Sequence, residues 1–335
     1  MDYHETMKPK KILVTGGSGF IGSHLVSFLN RENYTVLNID IKKPINNENI
    51  QLWENVSILD MPRFRKTVMK FNPDFIVHLS ATTTQNTKSL NEFEVNIQGT
   101  MNLIEIVNDL TGLKKLIFTS TQYVNSPGLK ISESTEKLHP YGFYGESKLL
   151  GEEIIRNSSL KPSWTIIRPT TIWGPLHPIL ANGLWKQIWL GRYFHPKRDN
   201  AVKAYGYVRN SVWQIVRLLE IENHFTDKKI FYIADENMSQ DRWVSAFASR
   251  LTNQKMRRMP KFILFILSEI GELFGRFGIG FPLFRSRYRN LITSNPSPIE
   301  NTLVLLGPSP IPFEEAVDET CSWLRQFYNP KRDGY

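Results

Sequence analysis

The sequence predicts an α/β fold: a doubly wound parallel sheet with a smaller C-terminal lobe. Three observations carry this. Short β-branched runs alternate with longer amphipathic stretches over roughly the first 170 residues. The alternation loosens after Pro175. The chain, at 335 residues, is also too long for one small domain. Strands separated by helices require right-handed crossovers, and these place helices on both faces of a parallel sheet.

Residues 11–15 (Lys-Ile-Leu-Val-Thr) read as a buried strand and 20–31 as the first helix. Residues 34–39 form the second strand, and 75–79, 116–120 and 164–168 supply three more, the last ended by Pro169. Between them, 92–110 and 144–157 have helical spacing. Beyond Pro175, short helices at 182–190, 210–221 and 240–251 surround isolated strands such as 229–233. That region is rich in Trp, Phe and Arg, which suits a substrate-binding lobe. Asn295-Pro-Ser-Pro and Gly307-Pro-Ser-Pro-Ile-Pro read as loops.

Apolar residues make up 41% of the chain, enough for a large core without covalent staples. The single cysteine, Cys321, excludes an internal disulfide and a thiol-rich metal site, so no metal is expected. It shares a helical face with Val317 and Leu324 and reads as core, in a reducing, cytoplasmic setting. The polar N-terminus at 1–10 reads as flexible and carries no signal peptide. The longest apolar run, 262–267, is too short to span a bilayer. The formal charge is +9, and 255–289 carries eight basic residues against Glu269 and Glu272. With no nucleic-acid motif present, this excess points to an acidic small molecule or an anionic surface, with no nucleic acid as partner.

The first strand runs straight into Gly16-Gly17-Ser18-Gly19-Phe20-Ile21-Gly22. Gly16 permits a tight turn, Gly19 lets backbone amides approach a pyrophosphate, and Gly22 lets the helix pack on the strand. Phe20 and Ile21 start the helix whose N-terminus would face the anion. Asp40 ends the second strand where an acid binds an adenosine ribose, which favours NAD over NADP; Lys42 and Lys43 follow closely and leave NADP open. Asp60 reads either as a contact near the adenine edge or as a helix N-cap.

Tyr144-Gly-Glu-Ser-Lys148 places a phenol and an ammonium one turn apart on a helix. A free phenol, with a pKa near ~10, is a poor base at neutral pH. A lysine one turn away, together with a positive nicotinamide ring, would lower that value and let Tyr144 exchange a hydroxyl proton.

Taken together with His78-Leu-Ser-Ala81, Val95-Asn-Ile-Gln-Gly-Thr-Met-Asn-Leu103, Thr119-Ser-Thr121 and Arg168-Pro-Thr-Thr-Ile-Trp-Gly-Pro175, these motifs are similar to those of the extended short-chain dehydrogenases/reductases. Within that branch the chain resembles the nucleotide-sugar epimerase, dehydratase and reductase group over nearly its whole length. The resemblance implies a Rossmann-type NAD-binding domain at 11–175 with later returns to the sheet, and a mainly substrate-binding lobe at 176–335. It implies that Thr121 joins Tyr144 and Lys148 in catalysis, that Leu79, Ser80 and Ala81 line the nicotinamide-ribose side, and that Asn96 braces the site. Thr82, Gln122, Tyr123, Thr171, Lys203 and Arg289 are the candidate substrate contacts. A homodimer built from the 92–110 and 144–157 helices is also implied.

The departures from the family pattern bear on the reaction. Family 4,6-dehydratases carry an Asp-Glu pair after the catalytic Ser/Thr; here Gln122 and Tyr123 stand instead, which leaves epimerase, ketosugar reductase or alcohol dehydrogenase chemistry. Thr171 replaces the usual Asn. Lys203 replaces an arginine that holds a diphosphate, as a point charge and not a fork, and Arg209-Asn210 replaces an acidic pair. The leading expectation is an NAD-dependent nucleotide-sugar epimerase acting on a nucleotide-diphosphate sugar. The alternatives are a ketosugar reductase, a hydroxysteroid-like or lipid-alcohol dehydrogenase, and a cofactor-sensing binding protein without turnover. The apolar stretch 262–274 with its basic flanks resembles a segment of the steroid and sterol dehydrogenases of this branch, and reads either as a lid or as a peripheral membrane contact through 261–289. Arg285, Arg287 and Arg289 read either as a diphosphate clamp or as surface charges.

Overall fold

The computed structural model describes residues 9–84, 87–129, 138–198, 201–278 and 281–329. The expectation of a flexible N-terminus falls mostly outside these residues. The first half runs β1 (Lys11–Thr15), α1 (Phe20–Arg31), β2 (Thr35–Ile39), β3 (Trp53–Glu54), α2 (Met61–Phe71), β4 (Phe75–His78), α3 (Glu94–Val107), β5 (Lys115–Thr119), α4 (Gly142–Asn157), β6 (Ser163–Pro169) and β7 (Thr171–Trp173). The second half continues with α5 (Pro178–Asn182), α6 (Leu184–Trp189), β8 (His195–Pro196), β9 (Val202–Tyr207), α7 (Val208–Glu220), α8 (Asn223–Thr226), β10 (Lys229–Ile233) and β11 (Glu236–Ser239). It ends with α9 (Gln240–Thr252), β12 (Arg258–Met259), α10 (Lys261–Arg276), α11 (Arg285–Ile292), α12 (Glu300–Leu306) and α13 (Phe313–Tyr328).

Seven strands form the main sheet in the order β10-β6-β5-β4-β1-β2-β3, and every pair in it is parallel. Strand β1 has β2 on one side and β4 on the other, so the winding reverses beside it. Ligands of doubly wound sheets bind at such a reversal, beyond the carboxyl ends of the strands. The glycine turn after Thr15 and the segment after His78 both lie there.

The alternation of side chains along β1 explains why both faces are covered. Ile12 and Val14 point into one core with Leu25, Val26 and Leu29 of α1 and Val212 and Ile215 of α7. Leu13 points into the other, with Phe64 and Val68 of α2 and Leu103 and Ile106 of α3. The tryptophans serve packing: Trp173, Trp185 and Trp243 are fully buried and share ring contacts with Phe247. Cys321 is buried in the same core.

Residues 229–233 were expected as an isolated strand of the smaller lobe. They are instead the edge strand of the main sheet, paired along their whole length with β6. Isolation would have left backbone groups of a half-buried segment unpaired. Of the helix expected at 182–190, residues 184–189 form α6, which Gly183 separates from α5 before it. Asn295 is not plain loop but bridges Lys203. Among the described residues, no helix is long and apolar enough to cross a membrane.

His78, at the end of β4, is almost fully buried. Its Nδ1 lies 2.7 Å from the Thr15 hydroxyl and its ring stacks on Phe118. Burial, and then the nearby Lys148 cation, push its pKa down to about 3. The unfolded chain therefore binds a proton that the folded chain refuses. This contribution to stability is complete above the ordinary imidazole value and is lost as pH falls below it. Denaturant unfolding should show stability falling by up to about 1.4 kcal/mol more per pH unit in the wild type than in His78→Gln, between roughly pH 6 and pH 4.5. Equal slopes would mean that His78 does not resist protonation.

Candidate active site

Gly16 opens the turn at φ +75°, and a Cβ there would stand 2.6 Å from the Ser80 amide nitrogen. Only glycine allows the turn after β1 to lie so close to the segment after β4. Helix α1 begins without a side-chain cap, so its first amides, including those of Phe20 and Ile21, are left to an outside acceptor. A Cβ on Gly19 would touch only the Gly16 carbonyl, so the turn is open at that point. Asp40 reaches this turn from β2: its carboxylate accepts from the Ser18 amide at 3.1 Å and the Lys42 amide at 2.9 Å. An uncapped helix start, an open glycine turn and a carboxylate beside it fit a dinucleotide. Asp60 caps α2 through the Arg63 amide, so the cap is the role its geometry serves.

On the other side of β1, Thr15 accepts the Leu79 amide at 2.9 Å through its carbonyl, and its hydroxyl accepts the Ser80 amide at 3.4 Å. Ala81 and Thr82 follow. Asn96 of α3 clamps Thr82 by accepting its amide and donating to its carbonyl, and also donates to the Ser147 hydroxyl at 2.9 Å. Ser147 in turn donates to the Tyr144 carbonyl. Asn96 therefore ties the segment after β4 to α4.

Thr121 ends the β5 segment. Its hydroxyl accepts the Tyr123 amide and is hydrogen-bonded to the Tyr144 phenol. Tyr144 is half-buried, with its ring 6.2 Å from that of Phe93. Lys148 is buried, with its ammonium 4.9 Å from the Phe118 ring centre. Burial pushes the Tyr144 phenol up to about 12, while the Thr121 hydrogen bond pulls it the other way. Burial pushes Lys148 down to about 8, against the pull of Glu152. In the protein alone, burial disfavours both charged forms and outweighs what lowers the tyrosine.

The substrate candidates separate. Gln122 is buried, donating to Thr171 and accepting from Ser297, both at 3.4 Å, and so ties β7 to the segment after α11. Tyr123 packs against Tyr141. Lys203 does not stand open as a diphosphate clamp, because its ammonium is bound by the Asn290 carbonyl at 2.7 Å and side chain at 2.5 Å. Arg289 lines a cavity of about 440 Å³ between α10 and α11, with Phe265, Glu269 and Tyr288. Arg285 is paired to Glu269, and Arg287 lies over the Phe284 ring. Among the described residues, no group of three or more His, Cys, Asp or Glu side chains could hold a metal ion.

Two features were missed by sequence reasoning. Gly145 lies against the turn after β5, where a Cβ would stand 2.2 Å from the Tyr123 carbonyl; this contact lets Tyr144 reach Thr121. Glu152, fully buried, accepts from Arg168 Nε at 2.8 Å and from its Nη2 at 2.7 Å, while Arg168 also donates to the Tyr232 hydroxyl. Arg156 completes the group. The signal was available: Glu152 follows Lys148 by four residues and Tyr144 by eight, on one helix face.

A turn that can cradle a pyrophosphate, with a phenol, hydroxyl and ammonium gathered beyond the neighbouring strands, defines a nucleotide-dependent oxidoreductase of the short-chain type. The comparisons agree. The model of the NAD dependent epimerase/dehydratase family matches residues 12–223, and the chain belongs to that family as an NAD-dependent enzyme of the extended type. It is 27% identical to mouse sterol-4-alpha-carboxylate 3-dehydrogenase, decarboxylating, over 99% of this chain and 88% of that protein. It is 30% identical to mouse UDP-glucose 4-epimerase over 56% of this chain and 54% of that protein, so it spans only about half of that relative. Its fold is similar to that of Thermotoga maritima UDP-glucose 4-epimerase, solved with UDP-glucose: TM-score 0.74 at 21% identity, covering 95% of this chain and 99% of the other.

Replacing Arg168 by Met leaves Glu152 buried without its fork. Unfolding should cost about 3–5 kcal/mol less, whereas the double replacement Glu152→Leu/Arg168→Met should recover much of that loss. Denaturant melts of the two variants check this, and a double variant no better than the single one would show that packing, not charge, holds the pair.

Proposed function

We propose that this chain is an NAD-dependent epimerase of a nucleotide-diphosphate sugar, with Tyr144 as the proton-transfer group. The observation that carries the reading is the Thr121–Tyr144–Lys148 group at the reversal of the sheet, followed by Gln122 and Tyr123 where no carboxylate is available for eliminating water. Tyr144 takes the proton of a sugar hydroxyl as the hydrogen on the same carbon departs as hydride, which leaves a ketone. It returns that proton when the hydride comes back to the opposite face. NAD, when bound, supplies the hydride acceptor and then the donor. Thr121 hydrogen-bonds the phenol and is placed to share the substrate oxygen. Lys148 carries positive charge beside the forming phenolate and orients the ribose. The high pKa of the isolated phenol means that proton transfer needs positive charge brought close to it. Gly16, Gly19, Phe20, Ile21, Gly22 and Asp40 would hold NAD, and the Asp40 carboxylate would repel a 2′-phosphate.

A second reading, a sterol-like or lipid-alcohol dehydrogenase, is supported by the near-complete alignment with the mouse sterol enzyme and by the apolar α10. The two differ in net redox change: an epimerase returns its hydride and accumulates no reduced nicotinamide, whereas a dehydrogenase does.

Tyr144→Phe should lower turnover about 10²- to 10⁴-fold while NAD binding is retained. The check is steady-state turnover of UDP-sugars beside NAD titration by fluorescence. Unchanged turnover would remove Tyr144 from the chemistry. Asp40→Ser should shift the cofactor preference toward NADP, read as the ratio of the two dissociation constants. Reduced nicotinamide accumulating with a sterol alcohol, together with no competition by UDP, would replace the sugar reading with the second.

A further inference from the structure

Helix α10 is turned outward. Its inner stripe is Leu264, Ser268 and Gly271, all buried, and the Leu283 carbonyl sits so close to Gly271 that a Cβ there would be 1.9 Å from it. Its large apolar side chains face away from the protein: Phe262 is 65% exposed, Ile266 52% and Leu273 51%, with Phe265, Ile270 and Phe274 beside them and Phe277 just past the end. At 1.5 Å per residue this is an apolar ridge about 24 Å long. A folded protein seldom leaves so continuous an apolar face to water without an occupant.

The charges around the ridge select the occupant. Lys255, Arg257, Arg258, Arg276, Arg285, Arg287 and Arg289 are exposed around it, and Lys261 is half-buried at its start. Of the two acids, Glu269 is held by Arg285, which keeps its carboxyl below the usual range. A second copy of this chain would bring the same excess of positive charge to the contact. An anionic bilayer surface complements both features, the phenylalanines entering the acyl boundary and the arginines meeting phosphate. We infer that the α10–α11 unit is a docking surface for an anionic lipid bilayer, with α10 lying on the membrane and not crossing it.

The test is sedimentation of the full chain with vesicles of phosphatidylcholine alone and of phosphatidylcholine with phosphatidylglycerol. The wild type should sediment with the anionic vesicles, and the bound fraction should fall in about 1 M salt, where charges are screened within roughly 3 Å. Phe262→Glu/Ile266→Glu/Leu273→Glu should reduce binding at least ~10-fold while the thermal melt and NAD affinity stay at wild-type values, because no substituted side chain is buried or near the glycine turn. Arg276→Glu/Arg287→Glu should weaken binding to anionic vesicles as well. The inference is overturned if the wild type sediments with neither vesicle, or with both equally and without response to salt. It is also overturned if the triple variant keeps its vesicle binding and changes only its oligomeric state in size-exclusion chromatography, since a second copy would then cover the ridge.

Discussion

The buried carboxylate of Glu152 fixes the relation between the sheet and the helix that carries Tyr144 and Lys148. An unpaired charge in that position would be untenable, so the forked guanidinium of Arg168 must meet it in register. Arg168 belongs to β6, which lies between β5 and β10, and its other nitrogen reaches Tyr232 on β10. One carboxylate therefore sets the rotation of α4 against two strands. The same rotation aims Tyr144 at Thr121 and seats Lys148 over Phe118. Glu152 has a second effect at a distance of one turn: its negative charge holds up the pKa of Lys148, which burial drives down.

Tyr144 and Lys148, the proposed proton-transfer pair, feel this burial in opposite directions. Burial acts against both the phenolate and the ammonium, so the pair moves apart in pKa, to about 12 and about 8. His78, close enough for its own protonation to be opposed by Lys148, stays neutral and adds no competing cation. A site arranged this way gains a usable base when positive charge is brought against it, and the turn after β1 is where the structure can receive the molecule that carries such a charge.

What the sequence made legible was whatever repeats along the chain or announces itself by glycine. The strand-turn-helix at the start, five of the seven strands of the main sheet and the helix bearing Tyr144 were readable from period and punctuation. Strand β3 was not, because two residues carry no period, and β10 was recognised as a strand without its place in the sheet, because adjacency is a tertiary fact. Asn96 was legible in position and the structure supplied its partners. Lys203 misled for a related reason. A lysine at a position where the family has arginine reads as a ligand contact, and nothing in the sequence shows that Asn290, far along the chain, takes up its ammonium.

That contact matters beyond the correction. Lys203 lies on β9, which pairs with β7 on one side and β11 on the other, and its ammonium meets Asn290 at the end of α11. Thr171 of β7 receives Gln122, the residue after Thr121, and Gln122 also meets Ser297, just beyond α11. The outward-facing α10–α11 unit is thus joined to the segment beside the Thr121 hydroxyl by two short routes of hydrogen bonds. Three of the departures from the family pattern, at Gln122, Thr171 and Lys203, lie on those routes. They look unrelated when each is compared alone with a family motif. In the fold they form one set of contacts, which anchors the basic, apolar-faced unit against the edge of the site. Gln122, Thr171 and Lys203 thus share in holding that unit in place.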